Sequence, residues 1–217
     1  EDIARRQGAK KFQVEDVDVL GRLDFWLNRG YESSLIGPVS RCHVKNVNFD
    51  QFASQEASFQ AGGYEIVALT ELEAEGDWRE RIWKLKEAIL DDVPHSEPRS
   101  PQTFERFCEI YPSQTAFPRE TTFFAMKDGQ LIGMSGGERT AVDATSFDTH
   151  LTGTLREHRR NGVATTLKLH VIRWCQQHGV ATIDTGNEKD NPMYQLNIAL
   201  GFEKFCSFHV LDRVEPT

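Results

Sequence analysis

Apolar positions along this 217-residue chain follow two periods, the alternation of strands and the three- or four-residue steps of amphipathic helices. These periods, together with helix-ending glycines, predict helices at 3–8, 22–28, 77–92, 101–111, from 163 towards 179, and before 201. Strand patterns lie at 12–19, 34–47, 64–69, 121–126, 130–139, 149–155, 181–185 and 203–210. Asp77, with Glu80 three residues later, is the predicted N-cap of the third helix. Runs of strands and runs of helices in this order are typical of an α+β fold.

The stretch 151–168 joins a predicted strand to an amphipathic helix through a short basic turn. The turn contains Arg159 and Arg160, followed by Asn161 and Gly162. A glycine turn that opens into a helix directs several backbone N–H groups one way and adds the positive end of the helix dipole. Gly162 has no side chain, so a phosphate could approach the main chain closely. The stretch therefore predicts a phosphate-binding loop.

Residues 159–164, Arg-Arg-Asn-Gly-Val-Ala, fit the (Arg/Gln)-x-x-Gly-x-(Gly/Ala) pattern of the GNAT acyltransferase superfamily. The downstream sequence, with Asn187, Asn191, Met193, Asn197 and Leu-Gly-Phe at 200–202, resembles the ending of a GNAT branch that includes mycothiol-synthase-like proteins. On these motifs, which span about a third of its length, the chain is identified as a member of the superfamily. The resemblance implies a GNAT domain at 64–217, with a mixed, mostly antiparallel central sheet flanked by helices.

The N-terminal region repeats the spacing of the C-terminal one. Gly8 and Gly30 are 22 residues apart (30 − 8), as are Gly179 and Gly201 (201 − 179), and β-prone residues follow each second glycine. This spacing predicts that 1–52 is the C-terminal half of a first, incomplete GNAT repeat, with 53–63 as a linker. A chance pair of helix endings is the alternative. The partner half-repeat would lie outside these residues, or the segment would be exchanged in a homodimer.

Composition narrows the function classes. The chain is 39% apolar and 27% charged, as in ordinary globular proteins, and no apolar run is long enough to span a membrane. A net charge of −8 argues against a nucleic-acid partner. The four cysteines, Cys42, Cys108, Cys175 and Cys206, are far apart. They predict reduced thiols in a cytoplasmic protein, with no disulfide framework or metal site.

The resemblance implies transfer of an acetyl group from acetyl-CoA to the primary amine of a small acceptor. The family's cofactor contacts map onto Gly153, Thr154, Leu155, Arg159, Arg160, Asn161, Gly162, Val163, Ala164, Thr165, Asn187, Asn191 and Asn197. The main chain at 153–155 would pair with the pantetheine arm in a slot facing 182–185. Helix capping and turn formation are the alternative role for the asparagines.

The catalytic groups are less well defined. Many GNAT enzymes have a tyrosine, which protonates the departing thiolate, where this chain has Asn197. Tyr194, one helical turn earlier, is the substitute candidate for the acid, although it could be simply half-buried. Asp148 is the candidate base, and His150, Glu138 and Asp184 lie on or beside the same central strands. Each of these four could also be structural or solvent-facing.

Three function hypotheses follow. The first is an active N-acetyltransferase, the second a catalytically silent acyl-CoA-binding or scaffold module, and the third a mycothiol-synthase-like acetyltransferase. The acidic, proline-rich segment 91–98 would favour a cationic amine if it covers the acceptor, or is otherwise a solvated connection. A Rossmann domain is disfavoured, since residues 64–76 contain no G-x-G-x-x-G.

Overall fold

The computed structural model describes residues 1–93, 99–110 and 118–214, and within them the chain forms two compact units. The first unit combines 1–41 with 186–214, and the second comprises 42–185. Most of the segment 91–98, considered above as an acceptor cover, lies outside the described residues.

The first unit is built around a long C-terminal strand. Its elements are α1 (Asp2–Arg6), β1 (Lys11–Val17), α2 (Arg22–Leu27), most of β2 (Glu32–His43), α8 (Pro192–Ala199) and β10 (Glu203–Val214). Strand β10 lies between β1 and β2 and is antiparallel to both. Both segments compared in the sequence therefore run helix, glycine, strand, helix, glycine, strand, and all four glycines have φ between +73° and +89°. That they are copies of one repeat stays a prediction.

The second unit contains the predicted phosphate loop. Its helices are α3 (Ala53–Ala61), α4 (Leu69–Leu72), α5 (Trp78–Leu90), α6 (Phe104–Ile110) and α7 (Val163–Gln177). Its strands are β3 (Glu65–Ala68), β4 (Phe123–Lys127), β5 (Gln130–Ser135), β6 (Gly137–Arg139), β7 (Ser146–Thr149), β8 (Gly153–Thr154) and β9 (Thr182–Gly186). Strands β3, β4, β5 and β8 form an antiparallel sheet in that order. Strand β7 pairs antiparallel with β6 and parallel with β9. The predicted α+β fold, mixed and mostly antiparallel, is confirmed.

Helices cover both faces of the β3–β4–β5–β8 sheet. Phe124 and Met134 join a buried cluster with the apolar side of α5. On the opposite face, the Phe123 ring contacts His170 of α7, with ring centroids 4.5 Å apart. A Cβ at Gly133 would lie 3.1 Å from Val163 and 3.2 Å from Leu167, so α7 approaches this face closely. The first turn of α7 is therefore held against the strand next to β8.

Residues 53–61, within the segment predicted to be a linker, form helix α3, which buries Phe59 and in which Glu56 binds Arg173 of α7. The structure corrects three details of the expected elements. The strands expected at 130–139 and 149–155 are each divided in two, as β5–β6 and β7–β8. The side chain of Asp77 makes no cap hydrogen bond. The strand expected at 64–69 ends at Ala68, where the short helix α4 begins. The predicted division into a partial repeat, a linker and a 64–217 domain stays a prediction.

Candidate acyl-transfer site

The divided strand β7–β8 creates an opening in the pairing of the second unit. Strand β7 pairs with β9, whereas after 150–152 strand β8 pairs only with β5 in the part of the chain that the structure describes. Two bonds mark the change: the His150 amide donates to the Gly136 carbonyl at 2.9 Å, and the Leu155 amide to the Ile132 carbonyl at 2.9 Å. The edge of β8 that faces away from β5 therefore has backbone groups available to an extended ligand.

The first residue of the short strand β8 must be small. A Cβ at Gly153 would collide with the Ile89 side chain of α5, so only glycine permits this packing. The hydroxyl of Thr154 is buried and has no hydrogen-bond partner among the described residues. Leu155 follows in extended conformation before a 3₁₀ turn at Arg156–His158. The predicted residues of the pantetheine slot thus lie on the open strand, and their role in binding stays a prediction.

The predicted phosphate loop has unusual backbone geometry at two positions. Arg160 has φ +63° and Gly162 has φ +77°, both in the left-handed region. Gly162 is the N-cap of α7, and no side chain caps this helix. The first amide to bond back is that of Thr166, which donates to the Gly162 carbonyl at 2.9 Å. The amides of Val163, Ala164 and Thr165 are therefore available at the positive end of a 15-residue helix, which is suited to an anion.

Asp92, at the end of α5, holds two arginines of the basic turn. Its carboxylate accepts from Arg156 Nε at 2.6 Å and also forms an ion pair with Arg159. Hydrogen bonding from Arg156, followed by the charge of Arg159, holds the pKa of Asp92 below its ordinary value. Arg159 Nε also donates to the Thr154 carbonyl at 3.2 Å, so this guanidinium lies beside β8. In the sequence, Asp92 belongs to the candidate acceptor cover at 91–98, and no local pattern indicates a contact across 64 residues.

Three carboxylates lie side by side where β7 ends. Asp148 is in register with Glu138 on β6 and with Asp184 on β9, so the three residues share one face of three adjacent strands. Phe147 and Ile183, on the opposite face, are fully buried. His150 Nε2 lies 3.4 Å from Glu138 Oε1.

The four asparagines and the tyrosine named from the sequence divide between the units. Asn161 is in the loop of the second unit, where its amide contacts the carbonyls of His158 and Arg159, both at 3.3 Å. In the first unit, Asn191 caps α8 by accepting from the Met193 amide at 2.9 Å. Tyr194, in the same helix, is half-buried.

Asn197 occupies the position where the family usually has a tyrosine. It is fully buried, and its Nδ2 donates to Asn187 Oδ1 at 2.6 Å. Its own Oδ1 is buried and has no partner in the described part of the chain. A carboxamide in this state cannot protonate a thiolate. The catalytic role of Tyr194 and the cofactor role of the three first-unit asparagines stay predictions.

Three further features concern metal binding, membrane-spanning helices and the reactivity of the cysteines. Among the described residues, no group of three or more His, Cys, Asp or Glu side chains could hold a metal ion. None of their helices is both long and apolar enough to cross a bilayer. All four cysteines lie in the described ranges, and none of them forms a disulfide there. Burial raises the pKa of Cys42 to about 11 and that of Cys175 to about 12, so neither is a reactive thiolate.

Comparisons with solved structures agree with this fold. A GCN5-related N-acetyltransferase from Sphaerobacter thermophilus matches 99% of this chain at 16% identity with a TM-score of 0.66, and the match spans 65% of that protein. A tandem GNAT protein from the clavulanic acid biosynthesis pathway matches the whole chain at 19% identity and a TM-score of 0.69, over 68% of its own length. An N-acetyltransferase from Staphylococcus aureus Mu50 is covered to 98% by 70% of this chain, at 13% identity and a TM-score of 0.52.

At these identities the likeness concerns the fold, and the chain spans about two thirds of the first two proteins. No curated protein sequence matches the chain. The profile of the acetyltransferase (GNAT) family matches residues 82–201, which is more than half of the chain and includes the open strand, the basic loop and the acidic row. The chain therefore belongs to the GNAT acetyltransferase family.

Proposed function

We propose that this protein transfers an acetyl group from acetyl-CoA to the primary amine of a small, cationic acceptor. The observation that supports this most directly is the divided strand β7–β8. It has the three carboxylates Glu138, Asp148 and Asp184 beside its start, and it leads into the basic loop at its end. The basic end of this strand is complementary in charge to an anionic cofactor, and the acidic end is complementary in charge to a cationic amine.

The residues at the loop end fit the diphosphate of acetyl-CoA. The amides of Val163, Ala164 and Thr165 would donate to it, and Arg159 and Arg160 would supply charge. The open edge of β8 at Gly153–Leu155 would pair with the amides of the pantetheine arm, as an added strand would. Acetyl-CoA, when bound, supplies an acetyl group activated as a thioester.

The residues at the acidic end fit the acceptor. A primary amine is largely protonated at neutral pH, and an ammonium cannot attack a carbonyl. Asp148 would accept a proton from the ammonium, directly or through water, with Glu138, Asp184 and His150 around it. The amine nitrogen then bonds to the thioester carbon, the carbon–sulfur bond breaks, and the thiolate leaves and takes up a proton. The second proton lost by the nitrogen goes to solvent.

Asn197 favours a second candidate function, a catalytically silent acyl-CoA-binding module. A buried carboxamide bonded to Asn187 has taken the place of the usual acid, so the thiolate would need another proton source. A mycothiol-synthase-like activity is supported only by the resemblance and by the likeness to a tandem protein.

Turnover separates these candidates. We would incubate the protein with isotopically labelled acetyl-CoA and a mixture of small primary amines that includes diamines and amino sugars. Mass spectrometry would then detect labelled products. We expect acetylated amine from the wild type and none from Gly162→Glu. Tight binding of acetyl-CoA with no acetylated product from any amine would contradict the enzyme and favour the binding module.

A further inference from the structure

A cavity of about 570 Å³ lies beside the basic loop, between it and helix α3. Its wall includes Ser54 and Ser58 of α3, Lys127 at the end of β4, and Arg160 with Gly162 of the loop. Cavities of this size are in the range that holds small-molecule ligands. All of its lining residues belong to the second unit.

Three contacts hold the wall of the cavity in place beside the loop. Helix α3 packs directly against the loop, since a Cβ at Gly162 would lie 3.1 Å from the Gln55 carbonyl. At the other end of the wall, the Tyr64 hydroxyl is 3.1 Å from His158 Nδ1. Arg173 of α7 binds Glu56 of α3 through both guanidinium nitrogens, at 2.5 and 2.8 Å. The wall is thus fixed to the loop from two sides.

The charge of the cavity is positive. Neither Lys127 nor Arg160 forms an ion pair with a carboxylate anywhere in ranges 1–93, 99–110 and 118–214. Lys127 Nζ lies 4.6 Å from the centre of the Tyr64 ring, which orients the ammonium. The one acidic side chain at the start of α3, Glu56, is occupied by Arg173 and is absent from the wall. The Ser58 hydroxyl adds a donor to the wall, whereas the Ser54 hydroxyl, one helical turn earlier, donates to Gln55 Oε1 at 2.9 Å.

We infer that this cavity binds the 3′-phosphate of coenzyme A, so that the protein selects the 3′-phosphorylated cofactor over its dephospho form. The inference rests on the proposed function. A diphosphate on the amides of 163–165 would lie beside Gly162, and the part of the cofactor beyond it would enter the adjoining cavity. A phosphomonoester between Lys127 and Arg160 would replace two solvated cations by charge-assisted hydrogen bonds.

The test is a comparison of two ligands. Calorimetry would measure the affinities of acetyl-CoA and of acetyl-3′-dephospho-CoA for the wild type, Lys127→Gln and Arg160→Asn. Asparagine is chosen because it tolerates the positive φ at 160. Lys84→Gln is the control, since Lys84 pairs with Glu80 on the exposed side of α5 and does not line the cavity. Each variant removes one positive charge.

We expect the wild type and Lys84→Gln to bind acetyl-CoA roughly tenfold or more tightly than its dephospho form, the size expected for a charge-assisted bond. In Lys127→Gln this preference should shrink towards onefold, with little change in affinity for the dephospho ligand. In Arg160→Asn the preference should also shrink, in addition to a loss of affinity that both ligands share because Arg160 also adds charge beside the diphosphate. Equal, tight binding of both ligands by the wild type would overturn the inference and leave the proposed function intact. Equal losses for both ligands in Lys127→Gln would also overturn it. Failure of both ligands to bind the wild type would overturn the proposed function, and the inference with it.

Discussion

The two ends of the strand β7–β8 are close together in the sequence, and they carry opposite charges. Beside its start lie Glu138, Asp148 and Asp184, in register on three adjacent strands. After its end come Arg156, Arg159 and Arg160, with an uncapped helix behind them. The acidic end is assembled from side chains, whereas the basic end relies largely on backbone amides.

This difference indicates which end tolerates sequence change. Backbone amides are supplied by any residue that can adopt the loop conformation, so the basic end depends mainly on the left-handed geometry at Arg160 and Gly162, to which the arginine side chains add charge. The acidic end depends on the identity of each side chain. Substitutions at the basic end should therefore alter cofactor affinity, and those at the acidic end should alter turnover.

The largest expected effect comes from breaking the basic end with Gly162→Glu. The new side chain places bulk and negative charge at the first turn of α7, and a Cβ there lies 3.1 Å from the Gln55 carbonyl. Losing one or two charge-assisted phosphate bonds should weaken acetyl-CoA binding by about 100-fold or more in calorimetry. Gly179→Glu is the matched control, because Gly179 has φ +73° and nothing within 4 Å of an added Cβ. Similar losses in both variants would point to a general folding defect and contradict the loop assignment.

A smaller effect is expected from Asp148→Asn at the acidic end. Removing the base should lower kcat by roughly 100-fold while the KM for acetyl-CoA stays unchanged. The deficit should narrow as the pH approaches about 10, the ordinary pKa of a primary amine, because a neutral amine needs no base. Glu105→Gln, an exposed carboxylate on α6, is the control. A deficit that is constant across this pH range would argue that Asp148 is structural.

The smallest effect sharpens the comparison, because the carboxylate of Asp92 pairs with Arg156 and Arg159 at the basic end. It would compete with a diphosphate for Arg159, so Asp92→Asn should bind acetyl-CoA several-fold more tightly at low ionic strength. The ion pair keeps the pKa of Asp92 low, so the stability it contributes is present above the ordinary value and is lost as the pH falls through the folded pKa. Asp91→Asn, next in the chain and paired with Arg99, is the control. Weaker binding by Asp92→Asn would mean that Asp92 positions Arg159 for the cofactor.

The N-terminal ends of α7 and α8 show what the local sequence can predict about the start of a helix. Both helices begin after a short polar loop, and both starts were predicted as cofactor contacts. Asn191 caps α8 with its own side chain, with a proline following, whereas Gly162 leaves the amides of α7 uncapped. Residue type at the N-cap already distinguishes the two in the sequence, because Asn has a capping oxygen and Gly has none.

Local sequence determined the elements, the basic turn and the open helix start, because these depend on contacts between residues close in the chain. Only the tertiary structure decided what surrounds them. It divided the strand at 149–155, because β7 pairs with β9 and β8 does not. It placed Asp92 beside Arg156 and aligned three carboxylates in one row. It also placed helix α3, which lies within the segment expected to be a linker, in the wall of a cavity. Those features depend on strand register and on helices packing across dozens of residues, which no local periodicity encodes.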